Sequence, residues 1–193
     1  MQDEIGRVLL ESAELKRRLA DELVPDIAAA AQMLIDCLRS GGMVALCGNG
    51  GSAADAQHIS GELVGRFLLE RPGYAAIALT TDSSVLTAIG NDYSFDDIYA
   101  GQVEGLLREG DILVAISTSG NAENCVRAVL KARDKGVRTL ALTGSCGGRL
   151  AEVCDLSLRV PHQTTARVQE AHITIGHILC GLVEAALVEA ERQ

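Results

Sequence analysis

The stretch Met43-Val44-Ala45-Leu46-Cys47-Gly48-Asn49-Gly50-Gly51-Ser52 decides the fold. An apolar run enters a glycine-rich turn, and from Ser52 onward the chain reads as a helix. Strand, loop and helix in that order leave backbone N–H groups and a helix N-terminus free to receive an anion. The arrangement recurs: the apolar run 112–116 leads into Ser117-Thr118-Ser119-Gly120-Asn121 and a second helical segment. Three successive hydroxyls there can donate to phosphate oxygens. Two such loops, both at strand C-termini, point to a phosphorylated small ligand at the edge of a parallel sheet.

Outward from these loops, strand-like and helix-like segments alternate. Strands are expected over 43–47, 75–79, 112–117, 138–142 and 156–160, and helices over 52–67, 84–89, 95–107, 122–135, 148–153 and 166–190. The strands are apolar throughout rather than alternating, as in a parallel sheet covered on both faces. The expected architecture is α/β: a three-layer αβα sandwich around a five-stranded parallel sheet, over residues 41–193. Before it, apolar residues recur at three- and four-residue spacing from Ile5 to Leu38, and Pro25 divides them into a helical hairpin over 1–40. No linker or repeat interrupts the 193 residues, which read as one domain. The first and last helices carry more apolar surface than the sheet can cover. Val168, Ala171, Ile175, Ile178, Leu179, Leu182 and Val183 fill more than one stripe, so a homo-oligomer that uses these helices is expected.

The net charge of −9 argues against a nucleic-acid groove, and the one basic cluster, Lys16-Arg17-Arg18, is mixed with acids along a helix. No apolar run approaches the roughly 20 residues of a membrane helix. The N-terminus, with Asp3 and Glu4, lacks a signal-peptide pattern, so a cytoplasmic location is expected. The six cysteines (Cys37, Cys47, Cys125, Cys146, Cys154, Cys180) form no C-x-x-C pair, and read as small hydrophobes in a reducing compartment.

Candidate chemistry lies on two helices. His58 and Glu62 stand at i and i+4 and share a face. Taken alone they are either a solvated pair or a metal or acid–base pair, and the spacing does not decide. On the last helix, Gln169 and His177 lie within about 80° of each other around the axis, whereas His172 points elsewhere. Gly48-x-Gly50-x-x-Ala53 partly matches a dinucleotide fingerprint. The next strand, however, runs into Leu79-Thr80-Thr81 with no acid for a ribose, and the hydroxyl loop goes unexplained. His162 reads as a loop histidine and His172 as a packing or supporting residue. Arg66 is either a substrate-positioning group or a surface arginine.

Together the motifs 47–58, Ala88-Ile89-Gly90-Asn91-Asp92, Ile116-Ser117-Thr118-Ser119-Gly120-Asn121, Ala141-Leu142-Thr143-Gly144 and Arg167-Val168-Gln169-Glu170-Ala171-His172 resemble the sugar-isomerase (SIS) domain family, and within it the bacterial phosphoheptose isomerases. The resemblance covers nearly the whole chain. It implies a flavodoxin-like fold and aldose–ketose isomerisation of sedoheptulose 7-phosphate to D-glycero-D-manno-heptose 7-phosphate, the first step toward nucleotide-activated heptose for lipopolysaccharide or related glycans. It further implies a homotetramer with sites shared between subunits, and one zinc ion per subunit. By the resemblance, the metal ligands fall on His58, Glu62, Gln169 and His177, and the acid–base pair on Glu62 and His177. Substrate contacts fall on Asn49, Gly50, Gly51, Ser52, Glu62, Asn91, Asp92, Ser117, Thr118, Ser119 and Gln169. One departure is Ala122, where the family usually places a phosphate-contacting serine. Weaker phosphate binding through backbone N–H groups is expected there. A non-catalytic SIS paralogue that binds a replication initiator is the alternative, disfavoured because Glu62 and His177 are both present. A sugar-phosphate-sensing regulatory domain would usually be fused to a DNA-binding module, and none is evident.

Overall fold

In the computed structural model, residues 1–191 are described. Two helices come first, α1 (Gln2–Glu22) and α2 (Val24–Arg39), joined at Leu23. Pro25 sits in the first turn of α2, where its missing N–H leaves no bond unmade. There follow β1 (Val44–Gly48), α3 (Gly51–Val64), β2 (Ala76–Ala78), α4 (Ser83–Asp92) and α5 (Ala100–Leu106). The chain continues through β3 (Ile112–Ser117), α6 (Glu123–Asp134), β4 (Arg138–Thr143), α7 (Gly148–Val153), β5 (Leu156–Arg159) and α8 (Thr165–Glu191).

The five strands are all parallel, in the order β2-β1-β3-β4-β5. This is the expected flavodoxin-like sheet. Central β1 and β3 are buried along their whole length, as their unbroken apolar runs require. Alternate side chains separate two cores. Val44, Leu46, Ile112, Val114, Ile116, Leu140 and Leu142 face α1, α2, α3 and α8. Ala45, Cys47, Leu113, Ala115 and Ala141 face α5, α6 and α7. The second face is mostly small, so its helices can seat close to the sheet.

Three element boundaries depart from expectation by more than a residue or two. The helix expected over 95–107 is a single 3-10 turn, Phe95–Asp97, followed by the shorter α5. The Ser94 hydroxyl caps that turn, and Arg127 of α6 holds Asp97 at 2.9 Å. Helix α4 runs on to Asp92, started by Asp82, whose carboxylate accepts the Val85 N–H at 3.0 Å. Helix α3 stops at Val64, not 67, because the following amides bond to α8. Helix α8 is long and apolar enough to cross a membrane by length and composition, which a search for one unbroken apolar run does not register. Here Val168, Ala171, Ile175, Leu179 and Val183 lie in the core, while Ile178 and Leu182 face outward.

Candidate active site

The strand order reverses between β1 and β3, and a cleft opens there at the strand C-termini, where ligands of such sheets bind. The cleft holds about 250 Å³ and is lined by Asn49, Ser52, Ile116, Ser117, Thr118, Ser119, Ala122, Thr165 and Gln169. Gly50 has φ +56°, the left-handed turn that starts α3 without a side-chain cap. A Cβ at Gly51 would collide with the Gln169 amide, so glycine there lets α8 approach the loop. Asn49 is locked by a reciprocal amide pair, donating to Asn124 Oδ1 at 2.8 Å and accepting from Asn124 Nδ2 at 2.9 Å. Ser119 Oγ accepts the Asn121 N–H at 3.2 Å and lies 3.4 Å from Ser117 Oγ. Ala122 caps α6 with no side-chain bond, leaving the backbone as the anion donor there.

Further along α3 and α8, three of the candidate residues converge. His58 Nε2 lies 2.8 Å from His177 Nε2 and 3.4 Å from Glu62 Oε1. These ligand atoms all lie within 4.8 Å of one another. Two imidazole nitrogens facing each other must share one proton or one cation between them. Two imidazoles and a carboxylate form a donor set that fits zinc with an open position, the pattern of a catalytic rather than a structural site. The Phe67 ring stacks on His177, centroids 5.7 Å apart and planes 24° from parallel. Cys180, also close to Glu62, is pushed up to about 12, chiefly by burial and then by that carboxylate. Both effects favour the neutral thiol.

The remaining candidates occupy several parts of the fold. Gln169 lines the cleft against Gly51. Asn91 and Asp92 are exposed in the last turn of α4, hydrogen-bonded to each other at 2.8 Å. Neighbouring Gly90 lines a second hollow of about 440 Å³ that shares Asn49 and Gly50 with the loop. His172 is fully buried, with Nε2 3.1 Å from the Thr143 carbonyl, which supports a packing role. His162 lies in the loop before α8, 3.2 Å from Glu11, and Arg66 is exposed near Glu70. Sequence reading missed Asn124, Phe67, Arg71 and Glu184. Only Glu184 left a trace, as an acid seven residues beyond His177 on an otherwise apolar stretch of α8.

Comparison with known proteins agrees with the fold. The SIS domain family matches residues 9–144. The phosphoheptose isomerase of Rhodospirillum rubrum is 54% identical over 187 residues, covering 97% of this chain and 99% of that protein. That of Aquifex aeolicus is 48% identical over 189 residues, covering 98% and 99%. Among solved structures, the phosphoheptose isomerase of Neisseria gonorrhoeae superposes with a TM-score of 0.90 at 44% identity, covering 95% of this chain and 98% of the other. That of Francisella tularensis gives 0.92 at 43% identity with the same coverage. The chain belongs to the SIS domain family and, within it, to the phosphoheptose isomerases, which are isomerase enzymes.

Proposed function

We propose that the protein converts sedoheptulose 7-phosphate to D-glycero-D-manno-heptose 7-phosphate through an enediol. The observation that carries this reading is the convergence of His58, Glu62 and His177 on the same two helices, α3 and α8, that supply Ser52 and Gln169 to a hydroxyl-lined cleft. Along α3, Glu62 lies about 15 Å from Ser52 at the helical rise per residue. An extended seven-carbon sugar, together with the reach of the Glu62 and Ser52 side chains, bridges such a gap with its phosphate at one end and its carbonyl at the other.

At the cleft, the hydroxyls of Ser52, Ser117, Thr118 and Ser119 and the N–H groups starting α3 and α6 receive the phosphate. Asn49, Gly50, Gly51, Asn91 and Asp92 complete the walls around the sugar. Gln169 bonds a sugar oxygen from the α8 side. The Glu62 carboxylate takes the proton from C1 and returns it to C2, which a single base can do when it lies over that bond. His177 gives a proton to O2 and accepts one from O1, so the net change moves the carbonyl from C2 to C1. Zinc held by His58, Glu62 and His177, with Gln169 as a further ligand, would polarise the carbonyl and steady the enediolate charge.

The protein acts in the cytoplasm, where its six free cysteines stay reduced, and it works as a homotetramer. Support for assembly comes from Ile5, Leu9 and Leu10 of α1 and Ile178 and Leu182 of α8, all exposed on one monomer. The deciding experiment incubates purified protein with sedoheptulose 7-phosphate and follows the aldose product, with and without a chelator. Light scattering on the same sample should give four chain masses. No turnover with or without added zinc would reject the assignment.

A further inference from the structure

Behind the reacting groups lies an ion pair that the chemistry above does not use. Arg71 Nε donates to Glu184 Oε1 at 2.9 Å, and the two side chains are 1% and 2% exposed. Desolvation opposes burying two charges, and apolar residues of similar volume are often no less stable in such places. What the pair organises is therefore the informative question, and its bonds answer it.

Glu184 accepts three successive backbone N–H groups, from Phe67 at 2.9 Å, Leu68 at 2.7 Å and Leu69 at 2.8 Å. Burial alone would push this carboxyl up, but the three amides and Arg71 together hold it below its ordinary value. It is thus a fixed charge around which the chain after α3 folds. On the other side, Arg71 donates to the carbonyls of Glu62 at 2.9 Å, Leu63 at 3.0 Å, Gly65 at 3.3 Å and Pro72 at 2.9 Å. Those of Glu62 and Leu63 belong to the last turn of α3, which has no intrahelical donors for them. A buried guanidinium therefore closes the helix end that carries Glu62. The Tyr74 ring backs the guanidinium at 3.9 Å.

The pair also reaches His177. Glu184 follows His177 by seven residues, so both stand within about 20° on the same face of α8. Glu184 grips the Phe67 amide, and the Phe67 ring lies flat against the His177 imidazole. Helix α8, the 67–69 backbone and the Phe67 ring thus form a closed circuit of contacts around the imidazole.

We propose that Arg71 and Glu184 are positioning residues for the isomerisation, holding Glu62 through the end of α3 and His177 through Phe67. This rests on the isomerase reading given above. Truncating one partner alone strands a buried charge and endangers folding. The test therefore uses the double variant Arg71→Met/Glu184→Leu, which replaces the pair with apolar volume, and separately Phe67→Leu, which leaves the pair intact. Steady-state kinetics with sedoheptulose 7-phosphate, thermal melting and bound zinc are measured for each. In the double variant kcat should fall about 10²-fold, the scale of a misplaced catalytic group. In Phe67→Leu it should fall about tenfold. KM should stay within about threefold in both, because the phosphate loops are untouched. A merely structural pair would move melting temperature and leave kcat per folded molecule intact. Normal kcat in either folded variant, or a loss no larger than the unfolded fraction, overturns the proposal. If the double variant does not fold, Phe67→Leu decides alone. An inactive wild type would instead overturn the isomerase reading itself.

Discussion

At the hydroxyl end of the cleft, Asn49, Ser52 and Ser117 to Ser119 all sit within a few residues of a strand C-terminus. At the imidazole end, His58 and His177 come from helices 119 positions apart and meet at 2.8 Å. The first end is fixed mainly by local means, turns and a helix start, with the Asn49–Asn124 amide pair as a long-range tie. The second depends on how α3 and α8 are set against each other, and on the buried charges that hold them there. On the proposed function, binding rests on loops at strand ends and chemistry on tertiary packing, and the two ends should fail in different ways.

The sharpest way to break this contrast is at Glu62. Glu62→Gln keeps size and hydrogen bonding but removes the proton acceptor, so kcat should fall by about 10²–10⁴-fold. Bound zinc should be measured alongside, to separate a lost base from a lost ligand. A comparable fall for Ser119→Ala would erase the distinction between the ends.

Next in size is the cost of a stranded charge. Glu184→Ala leaves Arg71 buried without its partner and should destabilise the fold by about 3–5 kcal/mol, read from chemical denaturation. No single side chain at the hydroxyl end should approach that figure.

His172 tests the packing of α8 without touching the chemistry. Burial lowers its pKa from 6.5 to about 4, so it stays neutral in the folded chain. The unfolded chain binds the extra proton first as pH falls through this window, so stability drops between those two values and is fully present above the upper one. The shift corresponds to about 3 kcal/mol. His172→Gln should flatten melting temperature against pH in that range while keeping most of the activity at neutral pH.

The smallest effect belongs to Ser119→Ala. A phosphate contact made equally in ground and transition states should raise KM by about fivefold with kcat unchanged.

The same division explains what the sequence made legible. The five strands, their parallel pairing and the two loops at 47–52 and 117–121 follow from unbroken apolar runs and glycine- or hydroxyl-rich turns, which are local signals. His58 and Glu62 share a face by spacing, yet only the family resemblance linked them to His177. Nothing local marks Phe67 as stacking on an imidazole, or Asn124 as the partner of Asn49. Arg71 sits in what reads as a charged turn, and its burial arises only because Glu184 arrives from α8. Helix α3 was expected three residues too long for the same reason, since periodicity cannot register amides diverted to a distant carboxylate.

Helix α8 has a mechanical consequence. It is a single rod that carries half-buried His177 and buried Glu184 on one face and Ile178 and Leu182 on its outer surface. Side-chain tips stand roughly 6 Å from a helix axis, so an axial roll of only about 10° displaces them by about 1 Å. A displacement of that order is enough to cost a positioned reaction about 10²-fold. Whatever packs on the outer apolar residues of α8 therefore bears on the position of the imidazole as well, because both ride on one helix.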